Sequence, residues 1–318
     1  MATERASVAL SVVVVSFNTH ELLRACLDSV LSQRLPPERG DRLELIVVDN
    51  ASSDGSADMV ETVFGDSVGL VRNKWNLGFA AANNLGLRRA KGRYVMLLNS
   101  DTVVQRDAFL TLVRFMDHHP EVGMAGPRLL NPDGTIQPAS FHFPTLLMLW
   151  LDFFPSHPRL LGSVWNGRYR AELAERPFSI DHPLGACIIV RREAMDEVGI
   201  LDEGFFMYCE EVDWCYRMRA SGWKIYHVPN ARVLHYGGQS ARQVSDEMFY
   251  QLHRSRLRLI RRHFSPRRRA LAEQIIRLGL RWRVTRAWID VKLGRRPPAH
   301  LVAPQAQYQR ILQVLSNE

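Results

Sequence analysis

The chain has 318 residues, of which 46% are hydrophobic, and this is enough to bury one large core or one domain with an appendage. Its net charge of +8 is unevenly distributed: residues 252–297 hold 15 Arg and Lys against two acidic residues, so this segment carries +13 and the remainder carries −5. We therefore predict a main domain of residues 1–240 and a basic helical C-terminal region of residues 241–318.

The sequence offers no anchor or secretion signal. It contains no run of about 18 apolar residues, so no membrane-spanning helix is predicted. Residues 1–6 are polar and charged, and the apolar run Val12–Val15 is too short for a secretory signal. The cysteines lack zinc-site spacing and fit reduced thiols better than a disulfide framework. They are Cys26, Cys187, Cys209 and Cys215. We expect a cytoplasmic protein.

The N-terminal part of the chain alternates apolar runs with helical patterns. Continuous runs rich in Val, Leu and Ile predict buried strands, and each is followed by a segment with helical apolar spacing. The predicted strands are Leu10–Ser16, Leu43–Val48 and Val68–Val71, and the predicted helices are His20–Gln33, Ser56–Phe64 and a Gly-opened helix beginning near Gly78. This alternation predicts an α/β fold with a mostly parallel sheet flanked by helices. The glycine spacing of a dinucleotide site is absent.

The central strand is predicted at residues 93–98, and it ends in Asn99, Ser100 and Asp101. Because ligands bind beyond the carboxyl ends of strands in open α/β sheets, Asp101 is expected at a ligand site. A carboxylate there suits a divalent cation bound to phosphate oxygens. The alternative is that Ser100 and Asp101 cap the helix predicted from Arg106 to His118.

The second half of the chain is less regular. Pro144–Phe154 is strongly apolar and predicts either a core helix or a surface that touches lipid or a lipid-like acceptor. Further strands and a short helix are predicted from apolar runs. The strands are Val122–Ala125, Gly185–Val190, Trp223–Val228 and Ala231–Leu234, and the helix is Arg192–Val198.

An acidic group follows an aromatic run within residues 205–222. Glu210, Glu211 and Asp213 lie at the predicted start of a helix. Acidic residues complement a helix N-terminus, which explains one or two of them. A carboxylate that is buried there could instead serve as a general base, and neighbouring carboxylates tend to separate in pKa. His235, at a strand end, is either an ordinary satisfied histidine or part of a cation site with these acids.

Six stretches in this order resemble the family 2 glycosyltransferases of the GT-A type, close to the bacterial rhamnosyltransferase branch. They are VVVVSFN, VVDNASSDGS, NLGFAAANNLG, YVMLLNSDT, GACIIVRREAMDEVGILDEGFF and YCEEVDWCYRMRASGWKIYHVPNARVLH. The resemblance covers about residues 8–240. It implies a Rossmann-like GT-A fold with a nucleotide-binding half at about residues 8–105 and an acceptor half at about residues 120–240.

The resemblance also assigns roles to residues of this sequence. Asn99 stands where the family has the first Asp of its Asp-x-Asp motif, and Glu211 stands at the position of the catalytic base. Mg²⁺ or Mn²⁺ is implied, with Asp101 and His235 as ligands. Glu210 and Asp213 are implied as the accompanying acids, and Gly185, Ala186 and Trp214 as the acceptor region. The implied nucleotide-sugar contacts are Ser16, Phe17, Asn18, Asp49, Asn50, Asn76, Gly78, Asn83, Asn99, Ser100 and Asp101.

The implied reaction is a transfer with inversion from a nucleotide-diphosphate sugar, with dTDP-L-rhamnose as the expected donor. The expected acceptor is a hydroxyl group of a lipid-linked or polysaccharide substrate in cell-envelope glycan synthesis. A UDP-hexose donor is an alternative. A nucleotidyltransferase is disfavoured because SFNTHELL, after the first strand, offers no basic triphosphate-binding loop. An inactive relative that binds membranes or polyanions is a hypothesis of a different class.

Two basic helices are predicted at Tyr250–Phe264 and Arg268–Leu293. Apolar residues of the second share helical spacing between arginines, which is typical of membrane-surface helices. They are Leu271, Ile275, Leu278, Trp282 and Ile289. We predict peripheral attachment to the inner face of the plasma membrane. The alternative is a helix packed on the catalytic domain. No nucleic-acid partner is predicted, since no recognised binding module is present, and an oligomer is possible.

Overall fold

The computed structural model describes residues 8–36, 42–155, 157–169, 175–237 and 245–317. It divides into two compact units. Unit 1 lies within residues 1–142, 169–206 and 210–242, and unit 2 lies within residues 143–168, 207–209 and 243–318. Within the described ranges, no helix has the length and apolarity needed to cross a membrane.

Unit 1 is built on a large sheet, which has ten strands in the described part of the chain. The strands of the chain are β1 (Val8–Ser16), β2 (Arg42–Asp49), β3 (Gly69–Arg72), β4 (Tyr94–Asn99), β5 (Thr102–Val104), β6 (Val122–Leu130), β7 (Ile136–Gln137), β8 (Ser140–Phe141), β9 (Phe178–Ser179), β10 (His182–Pro183), β11 (Cys187–Arg191) and β12 (Lys224–His235). The main path runs β3-β2-β1-β4-β11-β6-β12-β5, with β7 beside β6 and β9 beside β12. Strands β8 and β10 form a separate pair.

The parallel part of this sheet lies within residues 8–105, the range in which the nucleotide-binding half is predicted. Strands β3, β2, β1 and β4 run parallel, and β11 then pairs with β4 in the antiparallel direction. Most of β1, β2 and β4 is buried, as expected for parallel strands covered on both faces. The strong β preference of the Val-rich run in β1 agrees with this position at the centre of the sheet.

Helices connect and cover these strands. In chain order they are α1 (His20–Leu31), α2 (Ser56–Met59), α3 (Phe79–Leu87), α4 (Ala108–His118), α5 (Leu146–Phe153), α6 (Pro158–Leu161), α7 (Arg192–Val198), α8 (Glu210–Ala220), α9 (Ser245–His263), α10 (Pro266–Lys292) and α11 (Val302–Asn317). Helix α2 continues as a single wider turn over Val60–Phe64. The apolar faces of α1 and α4 pack into the core of unit 1 with the strands.

Two local predictions are wrong. Ser100 and Asp101 do not cap a helix, because the β-branched run Thr102–Val104 after them forms strand β5, and α4 begins only at Ala108. The two strands predicted at 223–228 and 231–234 are one strand, β12. Its pairing with β6 shifts register between Val228 and Arg232, so a bulge absorbs the Pro-Asn pair without ending the strand.

Unit 2 has its own apolar core, to which α5, α9, α10 and α11 all contribute. The core-helix interpretation of Pro144–Phe154 is confirmed, since Leu149 and Phe153 of α5 are buried in this core. Gly279 in the middle of α10 permits the contact, because a β carbon there would lie 2.1 Å from Phe153 Cγ. Helix α11 was not predicted.

Candidate active site

The carboxyl ends of three neighbouring strands bring together polar residues predicted to bind the donor. Ser16 lies opposite Asp49 in the β1–β2 ladder, and Val15 lies opposite Asn99 in the β1–β4 ladder. Side-chain hydrogen bonds then join the loops that follow. Asn18 Oδ1 accepts from the backbone N–H of Ser53 at 2.8 Å. The structure therefore places this predicted group at one edge of the sheet.

A chain of buried hydroxyl groups fixes the loop that carries Asp101. The Ser16 and Thr19 hydroxyls are hydrogen-bonded at 3.1 Å, and Thr19 and Ser100 at 2.9 Å. Ser100 is thus occupied with protein partners on the inner side of the loop. Thr19, which the sequence analysis did not single out, connects the end of β1 to the Asn99–Asp101 segment.

Only one carboxylate oxygen of Asp49 is hydrogen-bonded within the described residues. Its Oδ2 accepts from the backbone N–H of Ser52 at 3.1 Å, whereas Oδ1 is buried and makes no hydrogen bond within the described part of the chain. A buried acceptor without a donor costs about 1–3 kcal/mol. A base or ribose donor group of a nucleotide would satisfy it. Phe17, at the end of β1, is half-buried.

The side chain of Asn50 is hydrogen-bonded to the loop that follows β3. Its Nδ2 donates to Asn76 Oδ1 at 2.8 Å and to the Gly78 carbonyl at 3.3 Å. Its Oδ1 accepts from Asn73 Nδ2 and from the Leu77 N–H, both at 3.0 Å. These four bonds use the full capacity of an amide side chain. The Asn50 side chain therefore holds the 73–78 loop in shape, and its nucleotide contact stays a prediction.

Two further residues of this segment are also buried against protein. Asn83 is buried inside α3, and its Nδ2 donates to the Phe79 carbonyl at 2.9 Å, whereas its nucleotide contact stays a prediction. Gly78 has φ +82°, and a β carbon there would lie 2.3 Å from the Phe206 carbonyl oxygen. The next N–H, of Phe79, donates to the same carbonyl at 2.6 Å. Among the predicted contacts of this loop, the exposed Asn76 is the one that faces solvent.

Asp101 and His235 lie together, as the cation-site hypothesis requires. The Nε2 atom of His235 is 3.4 Å from Asp101 Oδ1, and both side chains are buried. Strand pairing explains the proximity, because His235 in β12 lies opposite Thr102 in β5. His235 Nε2 makes no hydrogen bond within the described residues, and neither does the buried Asn99 Oδ1. These atoms fit a divalent cation.

The donor set near Asp101 is small. Among the described residues, no group of three or more His, Cys, Asp and Glu is arranged to hold a metal ion. A cation at Asp101 and His235 would therefore need further oxygen ligands, such as phosphate oxygens or water. Asn99, in place of a second carboxylate, contributes no negative charge.

The predicted base lies beside the segment that borders the cation site. A β carbon at Gly185 would lie 3.7 Å from Glu211 Cδ, so the carboxyl group lies next to Gly185, with room for about one more atom between them. The next residue, Ala186, accepts a hydrogen bond at its carbonyl from the Asn99 N–H at 2.9 Å. Residues 185–186 thus join the start of α8 to the end of β4.

Burial tunes the acidic pair at the start of α8. Burial raises the pKa of Glu211 to about 7, although backbone N–H groups at the helix start oppose the shift. Burial and the neighbouring Glu211 carboxylate raise the pKa of Glu210 well above its usual range. Each residue has a buried oxygen, Oε2, without a hydrogen bond in the described part of the chain. Glu211 is only partly buried as a residue and Glu210 fully, so Glu211 is the better-placed base.

Two residues of the predicted acceptor side face the protein interior. Trp214 is fully buried and its Nε1 donates to the Gly199 carbonyl at 2.8 Å, so its ring packs in the core, and its place in the acceptor region stays a prediction. Asp213 is also fully buried and accepts from Arg217 Nε at 2.9 Å, while Arg217 donates to the Ile200 carbonyl at 2.8 Å. Asp213 therefore orients the neighbouring Arg217, one of the two roles that the resemblance implies for this acid; its role toward an acceptor stays a prediction. The spacing of Asp213 and Arg217, four residues apart on a helix, is a signal for this ion pair.

Solved structures with the same fold are glycosyltransferases. The mannosyltransferase PcManGT from Pyrobaculum calidifontis, in complex with GDP-Man and Mn²⁺, matches with a TM-score of 0.55 at 18% identity, over 96% of this chain and 88% of that chain. The predicted GT-A type α/β fold is confirmed. The chain spans 43% of the length of two other solved chains that share the fold.

The profile of Glycosyl transferase family 2 matches residues 11–199, and the chain belongs to this family. A Mycobacterium tuberculosis relative, N-acetylglucosaminyl-diphospho-decaprenol L-rhamnosyltransferase, is 29% identical over 250 residues, which cover 73% of this chain and 77% of the relative. Rhamnosyltransferase WbbL of Escherichia coli is 25% identical over 180 residues, which cover 54% of this chain and 66% of WbbL. The predicted resemblance to rhamnosyltransferase-like members is confirmed.

Proposed function

We propose that the protein is a metal-dependent inverting glycosyltransferase that moves L-rhamnose from dTDP-L-rhamnose to a hydroxyl group of a lipid-linked or polysaccharide acceptor in cell-envelope glycan synthesis. The observation that carries the proposal is the position of Glu211 against Gly185, next to the backbone bond between Ala186 and Asn99. The names of the Mycobacterium tuberculosis relative and of WbbL support the rhamnose donor. The diphospho-decaprenol in the first name supports a lipid-linked acceptor.

Glu211 would remove the proton from the attacking acceptor hydroxyl group. Its pKa of about 7 lets the carboxylate form exist near neutral pH and yet makes it a stronger base than an exposed Glu. The hydroxyl oxygen forms the new bond to the anomeric carbon while the bond from that carbon to the diphosphate breaks. One displacement from the opposite face inverts the configuration, by analogy with inverting glycosidases.

The nucleotide would lie along the ends of β1, β2 and β4. Asp49 Oδ1 would accept from the base or ribose, and Asp101 would lie at the diphosphate. Asp101 and His235 would hold a divalent cation, and the bound cation supplies charge neutralisation for the departing diphosphate. Mg²⁺ and Mn²⁺ both suit oxygen and imidazole ligands.

A panel of sugar nucleotides tests this assignment. We expect slow hydrolysis of dTDP-L-rhamnose in the presence of Mg²⁺ or Mn²⁺, and loss of that hydrolysis on chelation. Hydrolysis of UDP-glucose or UDP-galactose instead would show that the donor is a UDP-hexose, and the assignment as a glycosyltransferase would stand. Absence of both turnover and binding for every donor would favour the inactive relative that binds membranes or polyanions.

The basic region provides a surface suited to a membrane. On α10, Leu271, Leu278 and Trp282 recur at helical spacing and are 56%, 49% and 45% exposed. The opposite side of the helix, including Ile276 and Leu280, is buried in the core of unit 2. Helix α10 therefore has two apolar sides. One packs into the core of unit 2, and the other is exposed.

Positive charge borders this exposed stripe on both sides. With 100° per residue, Arg267 and Arg281 project on one side of the stripe, and Arg268 and Arg286 on the other, all four exposed. Each Arg near an anionic lipid surface adds roughly 1 kcal/mol of attraction. We therefore propose that α10 lies in the surface of the plasma membrane at its cytoplasmic face, with unit 2 as the attachment module.

Leu278→Glu and Trp282→Glu, combined in one variant, should weaken binding to vesicles of phosphatidylglycerol and phosphatidylcholine by about tenfold or more, because burial of these side chains in lipid is lost. Co-sedimentation with vesicles measures the change. Leu31→Glu is the matched control, since Leu31 is 42% exposed at the end of α1 in unit 1. Equal sedimentation of both variants and the unaltered protein would contradict the membrane role.

A further inference from the structure

The ring nitrogen of His235 that faces away from Asp101 is held by a side chain that the sequence analysis did not identify. His235 Nδ1 lies 2.6 Å from Gln137 Oε1 in β7. Gln137 Nε2 donates in turn to Asn131 Oδ1 at 3.0 Å. Two strands of the sheet are therefore linked through the histidine that is proposed to hold the cation.

The link continues to a carboxylate at the tip of the β6–β7 hairpin. Asn131 Nδ2 donates to the Thr135 hydroxyl oxygen at 2.9 Å, and the Thr135 hydroxyl donates to Asp133 Oδ1 at 2.6 Å. Backbone groups also hold the turn: the Asn131 N–H donates to the Thr135 carbonyl at 2.8 Å, and Asp133 Oδ1 also accepts from the Thr135 N–H at 3.0 Å.

The Asp133 carboxylate determines which group donates and which accepts in each hydrogen bond of this series. Asp133 only accepts, so the Thr135 hydroxyl must donate to it and accept from Asn131 Nδ2. The Asn131 amide is then oriented with Oδ1 toward Gln137, and Gln137 must donate through Nε2 and present Oε1 to the histidine. An amide oxygen accepts, so His235 Nδ1 must carry a hydrogen and donate it.

We propose that this series of hydrogen bonds fixes the ring of His235 with its hydrogen on Nδ1, so that the Nε2 lone pair points toward Asp101 and can bind a divalent cation. The series runs from Asp133 through Thr135 and Asn131 to Gln137. Gln137 is the positioning residue in contact with the histidine. In the neutral ring, two acceptor atoms then face each other across 3.4 Å, an arrangement that a cation between them stabilises. The cation part of this inference rests on the proposed function. The position of the hydrogen on the His235 ring does not depend on it.

Without Gln137 the ring has a competing state. A hydrogen on Nε2 would be donated to Asp101 Oδ1, and this bond would occupy both proposed ligands at once. Gln137→Met removes the acceptor at similar volume and should allow this state. Gln137→Glu loses the Nε2 donor to Asn131, so the Asn131 amide must turn its Nδ2 toward the new carboxylate, but the variant keeps an acceptor toward Nδ1 and should preserve the native ring state.

Nitrogen NMR of the protein labelled with ¹⁵N-histidine tests the inference in the absence of metal. His235→Gln identifies the signals of the ring. We expect the unaltered protein and Gln137→Glu to carry the hydrogen on Nδ1 when the ring is neutral, and Gln137→Met to move it to Nε2. Thermal unfolding of each variant shows whether the hairpin is retained.

Binding of Mn²⁺, followed by electron paramagnetic resonance, supplies the second measurement. We expect Gln137→Met to lower the affinity for Mn²⁺ about 10–100-fold and Gln137→Glu to retain it. A hydrogen on Nε2 in the unaltered protein, or an unchanged ring in Gln137→Met, would overturn the inference. If instead the ring behaves as expected and the unaltered protein binds no Mn²⁺, the proposed cation site is wrong, and the hydrogen-bond series has no role in cation binding.

Discussion

Replacing Glu211 with glutamine is expected to lower the rate of sugar transfer about 10²–10⁴-fold, while the dissociation constant of the donor stays within about twofold. The amide keeps the shape of the side chain and its place beside Gly185, but it cannot take the proton from the acceptor hydroxyl group. Single-turnover transfer and donor binding by calorimetry separate the two effects. Glu193→Gln on α7, where the side chain is exposed, is the matched control.

The pH dependence gives the same prediction a second test. Because burial raises the pKa of Glu211 to about 7, transfer by the unaltered enzyme should rise with pH through about 7. The folded chain also holds this proton more tightly than the unfolded chain, where the ordinary pKa is 4.5, so the residue costs stability as the pH rises from 4.5 to 7. Glu211→Gln should therefore raise the unfolding temperature at pH 8 more than at pH 4.

Two outcomes would reassign the base. Transfer at near the unaltered rate by Glu211→Gln would remove Glu211 from the mechanism. A large loss confined to Glu210→Gln would exchange the roles of the two acids. Since Glu210 is buried and burial raises its pKa well above its usual range, we expect its replacement to affect stability more than the chemical step.

Replacing Asp101 with alanine is expected to lower kcat/KM about 100-fold or more, mainly through weaker binding of the donor. The carboxylate is the charged member of the proposed cation site, and its loss leaves His235 as the remaining ligand there. Titration of the donor with and without Mn²⁺ measures the effect. Asp66→Ala, at an exposed carboxylate in unit 1, is the control for a changed charge alone.

Chelation completes this experiment. The unaltered enzyme should lose activity when divalent cations are removed, whereas Asp101→Ala should lose little more. An unaltered enzyme that keeps full activity in the presence of a strong chelator would show that the cation has no part in the reaction. In that case the Asp101 carboxylate, which only accepts hydrogen bonds, would have no direct way to hold the diphosphate, and its role would have to be reassigned.

The outline of the fold and the location of the site could be predicted because they depend on local patterns. The apolar runs of β1 and β4 identify buried strands, and their ends place Asn99 and Asp101 at the edge where ligands bind. Glu211 could be located in the same way, at a helix start that follows an aromatic run. Each of these features is readable within about ten residues of sequence.

Side-chain partners could not be predicted from such patterns. Asn50 resembles a ligand residue in sequence, yet the 73–78 loop takes all its hydrogen bonds. Trp214 follows the acidic group in the chain, but the helical rotation between them turns its ring into the core. Gln137 gave no signal at all, because its partner His235 is distant in sequence and meets it only through the pairing of β6 with β7 and β12.

Asn99 has a consequence for the end of the catalytic cycle. With an amide where the family resemblance implies a carboxylate, the proposed site would carry one formal negative charge fewer around a departing nucleoside diphosphate. Electrostatic repulsion that would help to expel this product is reduced by the same amount. The proposed enzyme should therefore release its nucleoside diphosphate product slowly and be inhibited by it. The rate of sugar transfer would then depend on the ratio of donor to nucleoside diphosphate.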